Sequence, residues 1–124
     1  MLLINTKVIE SRIHGYGLVT IDYLEPGQVI FEDSDLIKIT EKVYNKIPDK
    51  SWIDKFCTVE EVDFEKTYIL DRDNMKYINH SSIPNICFIG NIAVTLKIIM
   101  SGTELSCDYS EITTEENYNK LLNI

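Results

Sequence analysis

Residues 77 to 96 form a run of 20 positions without one Asp, Glu, Lys or Arg, in a chain where 26% of residues are charged. Its length would suit a membrane span. Its content would not, because Asn79, His80, Ser81, Ser82, Asn85 and Asn91 all fall inside it. Lipid offers such groups no hydrogen-bond partners. The remaining solution is a segment threaded through the protein interior, where other parts of the chain satisfy its polar groups.

The chain has 124 residues, the size of one domain spanning 1–124. At 44% hydrophobic residues it can build a core without staples. Cys57, Cys87 and Cys107 are odd in number and form no CxxC pair, which argues against a disulfide framework and a four-cysteine zinc site. Reduced thiols point to an intracellular protein, cytoplasmic or nuclear. Met1 to Ile4 is apolar but too short for a signal segment, and Lys7 interrupts it. Net charge is −8, with 7 basic and 11 acidic residues in 1–62 and 5 and 9 in 63–124. Such a surface disfavours direct nucleic-acid binding and attracts lysine-rich peptides.

Strand signals dominate. Gln28 to Glu32 and Leu36 to Thr40 are short β-type runs, and Ile92, Val94, Leu96 and Ile98 alternate with Ala93, Thr95 and Lys97 as in a half-buried strand. Glu25-Pro26-Gly27 and Ser101-Gly102 read as turns. Pro48, Lys50 and Ser51 break the pattern within 41–66, leaving room for a short helix near 41–46. Thr113 to Glu116 has capping-box spacing, with Tyr118, Leu121 and Leu122 on one face of a terminal helix. The expected class is mostly β, in several small sheets with short helices.

Three clusters carry chemistry. Gly15-Tyr16-Gly17 permits a tight turn or a close backbone approach to a ligand, but it is not the dinucleotide GxGxxG. Asn79-His80-Ser81 offers several donors and acceptors, yet lacks a nucleophile elbow. With His14 and His80 as the only histidines, a multi-His metal site is excluded. Asp108-Tyr109 contributes a phenol of ordinary pKa about 10, able to bond a reacting centre or stabilise a nearby cation.

Taken in order, these clusters resemble the SET domain, the family of S-adenosylmethionine-dependent protein-lysine methyltransferases. Ile13 to Thr20 resembles its opening G-x-G segment, Leu24 to Ile30 the turn and strand after it, and Thr67 to Asp71 its short tyrosine-containing strand. Tyr77-Ile-Asn-His-Ser-Ser-Ile-Pro-Asn85 resembles F-x-N-H-S-C-x-P-N, and Gly102-Thr-Glu-Leu-Ser-Cys-Asp-Tyr109 resembles G-E-E-L-x-x-D-Y. The resemblance implies small curved sheets with a pseudoknot-like C-terminal crossing of the last two motifs.

It also implies a site. Gly15, Tyr16 and Gly17 would contact the methionine end of the cofactor through the main chain. Asn79 would bond it through its side chain, and the His80 backbone would hold the adenine. Lys76, where many members have arginine, and Tyr77 would complete the cofactor-binding set with Tyr109. Tyr109 would be the catalytic residue, aligning the target amine while its proton leaves to water. Phe88 and Cys107 would lie along the lysine channel and influence how many methyl groups are added. Residues 41–66 would be a variable insert, with Trp52, Phe56 and Phe64 either its local core or the wall of a peptide groove.

The match departs from the family in places. Ser82 replaces a frequent cysteine, Phe31-Glu32-Asp33 stands where a YxG pattern is common, and no cysteine follows Cys107. No zinc is therefore expected, and the helical segment within 111–124, or the partner of a homodimer, would close the lysine channel. The implied activity is methyl transfer from S-adenosylmethionine to a lysine of a basic, possibly histone-like, protein. The alternative is a degenerate module that binds peptide or cofactor without turnover.

Overall fold

The computed structural model describes residues 1–33, 36–71 and 73–122. The last two positions of the expected 111–124 segment lie outside the described residues. Strands β1 (Thr6–Glu10) and β2 (Tyr16–Thr20) form an antiparallel hairpin. Its loop closes on Gly15, whose φ of +50° suits glycine. The Ser11 hydroxyl accepts the Ile13 and His14 amides there, at 2.8 and 3.2 Å.

Strand β3 (Val29–Glu32) follows the 25–27 turn, where Gly27 has φ +75°. It pairs with β9 (Ile92–Thr95), which also pairs with β8 (Ile86–Ile89). In the other three-stranded sheet β6 (Glu65–Asp71) is central, flanked by β4 (Leu36–Thr40) and β5 (Thr58–Val62). Two short helices, α1 (Glu41–Tyr44) and α2 (Ser51–Phe56), connect β4 to β5. Thr40 caps α1, while α2 has no side-chain cap and was not expected from the broken pattern around Pro48. Each three-stranded sheet has its own core. One is built around Leu18, Phe31, Ile86 and Leu105, the other around the stacked Tyr44 and Tyr68 rings, 3.8 Å apart.

Two segments distant in sequence meet in the middle. Strand β7 (Asn79–His80) runs parallel to β10 (Ser106–Cys107), and the Ser81 amide extends the pair to the Cys107 carbonyl at 3.0 Å. The residues before β10 also line β2, with Leu105 N–H donating to Leu18 O at 2.8 Å. The last two motifs thus lie side by side, as the crossing requires. Asn85 fixes them: its amide donates to Glu104 O at 2.8 Å and its oxygen accepts from Ser106 N at 2.8 Å.

Three expectations need correction. The buried face of β9 is Ala93 and Thr95, whereas Leu96 and Ile98 are half exposed. The Thr95 hydroxyl is drawn inward, accepting from Gln28 N at 2.9 Å and donating to Glu25 O, and the strand ends there. The uncharged run is interior at Ile78, Asn79, Asn85 and Ile86, but Ile83, in the loop before β8, and Ile89, beside the Gly90-Asn91 turn, face solvent. Helix α3 (Glu115–Leu122) is capped by Thr114, which accepts from Asn117 N, instead of by the Thr113–Glu116 box. Thr113 Oγ1 instead accepts from Val59 N at 2.9 Å, and Glu116 pairs with Lys66 at 3.0 Å. Asn117 is the buried residue of that helix; Leu122 is half exposed.

Candidate active site

The two-residue strand β7 opens into a cleft. Its walls are the 14–16 loop, Phe56 and Lys55 of α2, Lys76 and Tyr77 of a 3-10 turn (Asn74–Tyr77), Ile78, Asn79, Tyr109 and Leu121 of α3. The cavity volume is about 50 Å³. Ligand sites usually run to about 300–1,000 Å³, so a nucleoside-sized molecule would lie mostly in the open part. The charged residues lining the cleft are both lysines. Lys76 Nζ sits 5.0 Å from the Tyr77 ring centre and donates to Asp73 O at 3.0 Å. Phe56 meets Tyr77 edge-on at 5.4 Å.

A second cavity of about 50 Å³ shares Tyr109, Ile78, Phe56, Lys55, Lys76 and Leu121 with the cleft, and adds Cys57, Met75 and Phe88. A third, of about 470 Å³, shares Phe88, Asp71, Thr58 and Ile112 with the second. Four acidic residues (Asp33, Glu60, Asp71 and Glu111) and one lysine, Lys38, line that outer groove. The three spaces form a series: a cationic cleft, a narrow passage past Tyr109 and Phe88, and an acidic groove.

Tyr109 is held from both ends. Its hydroxyl donates to Ile78 O at 2.6 Å, and its amide donates to His80 Nδ1 at 3.1 Å. Burial foremost, then the neighbouring Cys107 and Glu104, push its pKa well above the ordinary value. At neutral pH the phenol is therefore a donor and not a base. The His80 imidazole lies between Tyr109 and Tyr118, with ring centres at 5.3 and 5.4 Å. Because Nδ1 accepts the Tyr109 amide, Asp108 at 3.8 Å is only a neighbour of that nitrogen. Asp108 instead caps the next 3-10 turn (Tyr109–Glu111), and two bonds from Ser110 hold its pKa below the usual range.

The Asn79 amide nitrogen lies 3.0 Å from each of Ser11 Oγ, His14 O, Tyr16 O and Glu104 Oε2. It has two N–H groups, so four acceptors share them. Asn79 therefore fastens the 11–16 loop to the crossing.

Of the residues anticipated around the cofactor, Gly15, Tyr16, Lys76, Tyr77, Asn79 and Tyr109 line the cleft together. Gly17 and His80 stand just behind its wall. A Cβ at Gly17 would lie 2.6 Å from Glu104 Oε2. Phe88 lines the passage and packs edge-on against Phe31 at 6.2 Å. Cys107 is 1% exposed, with a thiol pKa raised by burial, and lines none of the three spaces. Trp52 is half exposed and touches Phe56, while Phe64 projects from the β5–β6 turn at 94% exposure. Lys55 and the acidic groove were not foreseen, while Leu121 belongs to the terminal helix expected beside the channel. Only the surplus of acidic residues hinted at the groove.

A family model described as the SET domain matches residues 15–110, more than three quarters of the chain. The chain belongs to the SET domain family. No curated protein matches it. SET domains are generally methyltransferases and typically use S-adenosylmethionine. In this SET domain the match ends next to Tyr109, and α3, which supplies Leu121 to the cleft, lies beyond it. No helix among the described residues is long and apolar enough to cross a membrane.

Proposed function

We propose that this SET domain transfers a methyl group from S-adenosylmethionine to the side-chain amine of a lysine in a basic protein. The observation that carries the reading is the position of Tyr109, at the wall between a cleft lined by Lys55 and Lys76 and a passage leading to an acidic groove.

The donor set of the cleft fits the cofactor. Lys76 and Lys55 supply cations for its carboxylate, and the Tyr77 and Phe56 rings supply faces for its base. When bound, the cofactor supplies a methyl group activated by a positively charged sulfur. The groove side fits the acceptor: Asp33, Glu60, Asp71 and Glu111 attract a basic segment.

A lysine amine must be neutral to attack. Its ordinary pKa is about 10.4, so neutrality at pH 7 costs about 4.6 kcal/mol. In the passage Ile78, Met75 and Phe88 disfavour the charged form and Lys55 and Lys76 repel it, while Asp71 at the groove end favours it. Tyr109, a phenol without basic character here, orients the amine by hydrogen bonding and leaves the proton to water. Holding both reactants in line is the main contribution of such a site.

The test is transfer of labelled methyl to a panel of basic proteins, with mass spectrometry to place it. Wild-type transfer with loss of at least 100-fold in Tyr109→Phe is the expected result. Cofactor binding without transfer to any member of the panel would replace the enzyme reading by the binding module.

A further inference from the structure

Glu104 lies behind the cleft wall. It bridges Val19 of β2, and its carboxylate fills the space beside Gly17, where a Cβ would approach Oε2 to 2.6 Å. The groups bonded to it are neutral. The Ser11 hydroxyl lies 2.7 and 2.8 Å from its two oxygens, and the Asn79 amide 3.0 Å from one of them. Among the described residues no Lys, Arg or His forms an ion pair with it. These hydrogen bonds hold the carboxylate in place, and none of them neutralises its charge. Its field also reaches the Tyr109 hydroxyl, where it adds to the rise in that group's pKa.

The cleft's lysines, Lys55 and Lys76, line it elsewhere, and beside Glu104 the neighbouring side chain is the neutral Asn79. The Asn79 amide donors are engaged by Ser11, His14, Tyr16 and Glu104, so the Asn79 side chain has only its oxygen left to offer a ligand. From these contacts we propose that Glu104 is a positioning charge that selects a sulfonium ligand over the corresponding thioether, and so favours loaded cofactor over spent cofactor. The inference rests on the methyl-transfer reading above. Transfer breaks the sulfur–methyl bond and forms a nitrogen–methyl bond. The sulfur keeps the electron pair and becomes neutral, and the amine proton goes to water. The positive charge thus leaves the neighbourhood of Glu104, and the complex weakens after each turnover. The energy is electrostatic and needs no contact between the carboxylate and the ligand.

Calorimetric titration of S-adenosylmethionine and S-adenosylhomocysteine into wild type and Glu104→Gln tests this without any turnover. The amide oxygen can take the Oε2 position and keep both donors, so the substitution removes mainly charge. The expected result is a loss of about tenfold in affinity for the sulfonium ligand and less than twofold for the thioether. Equal losses for both ligands would overturn the inference, as would no loss for either. Ser11→Ala is the second variant, because it removes a hydroxyl and keeps the charge. It is expected to preserve the wild-type ratio of the two affinities, and collapse of the ratio there would place the discrimination in loop geometry instead. Wild type that binds neither ligand would refute the methyl-transfer reading itself, a result distinct from an unchanged ratio.

Discussion

Asp71 sits at the end of β6, on the wall shared by the inner passage and the acidic groove. Burial above all, then the Asp73 and Asp33 carboxylates, push its pKa from the usual 3.8 up to about 6, while the N-terminal amine and Lys76 pull weakly the other way. A carboxyl with a raised folded-state pKa supports the fold fully below its unfolded value, and that support is lost as pH rises through about 6. At 1.36 kcal/mol per pH unit the interval corresponds to about 3 kcal/mol. Asp71 is only half-buried, and solvent screening reduces the figure to about 1–2 kcal/mol. Asp71→Asn should therefore stabilise the protein by about 1–2 kcal/mol at pH 7.5 and by almost nothing at pH 4. Urea unfolding at pH 4, 6 and 7.5 measures it. An Asn variant no more stable at pH 7.5, or one whose gain is the same at all three pH values, would refute the argument. The same substitution removes a negative charge where an incoming lysine passes, so the KM for a basic peptide should rise several-fold. A carboxylate kept where it costs stability fits a functional position.

Other perturbations follow from the crossing and the cleft. Asn85→Ala leaves Ser106 N–H and Glu104 O without partners in the interior, and at about 1–2 kcal/mol each should lower stability by about 3 kcal/mol in urea unfolding; a loss below about 0.5 kcal/mol would mean the crossing is not held there. Gly17→Ala places a methyl group against Glu104, which Ser11 and Asn79 pin. It should cost about 1–3 kcal/mol and weaken S-adenosylmethionine binding, read by calorimetry, and unchanged affinity would show that Glu104 moves aside freely. Phe56→Ala removes a ring that both meets Tyr77 across the cleft and packs on the second core, so cofactor affinity should fall about tenfold and Tm should fall with it; unchanged affinity in the folded variant would place the ring outside the cofactor's reach.

Much of this was legible in the chain. The 28–32 and 36–40 runs form β3 and β4, shortened by a residue at most, and Thr67 to Asp71 lies within β6. Short strands bounded by turn residues announce themselves locally. The hairpin at Gly90-Asn91 was also written there, as a two-residue glycine turn between apolar runs, and passed unread. Burial was harder. Alternation in 92–98 located a strand but assigned the wrong face, because periodicity does not report which side a sheet covers. The cap of α3 slipped by one residue because Thr113 was engaged by β5, a contact formed only after folding.

The sequence by itself determined the family and the mostly-β class. Two motifs of fixed order and spacing carry that information in residue identity alone. The tertiary structure decided what the individual atoms do. Asn79, anticipated as a ligand-binding side chain, has its donors engaged by a loop 63 to 68 residues away. Lys55, Phe56 and Leu121 reach the cleft because α2 and α3 close around Tyr109, and four carboxylates scattered from Asp33 to Glu111 converge on one groove. Neither arrangement has a local signature, since each depends on packing between segments whose separation in the chain says nothing of their distance in space.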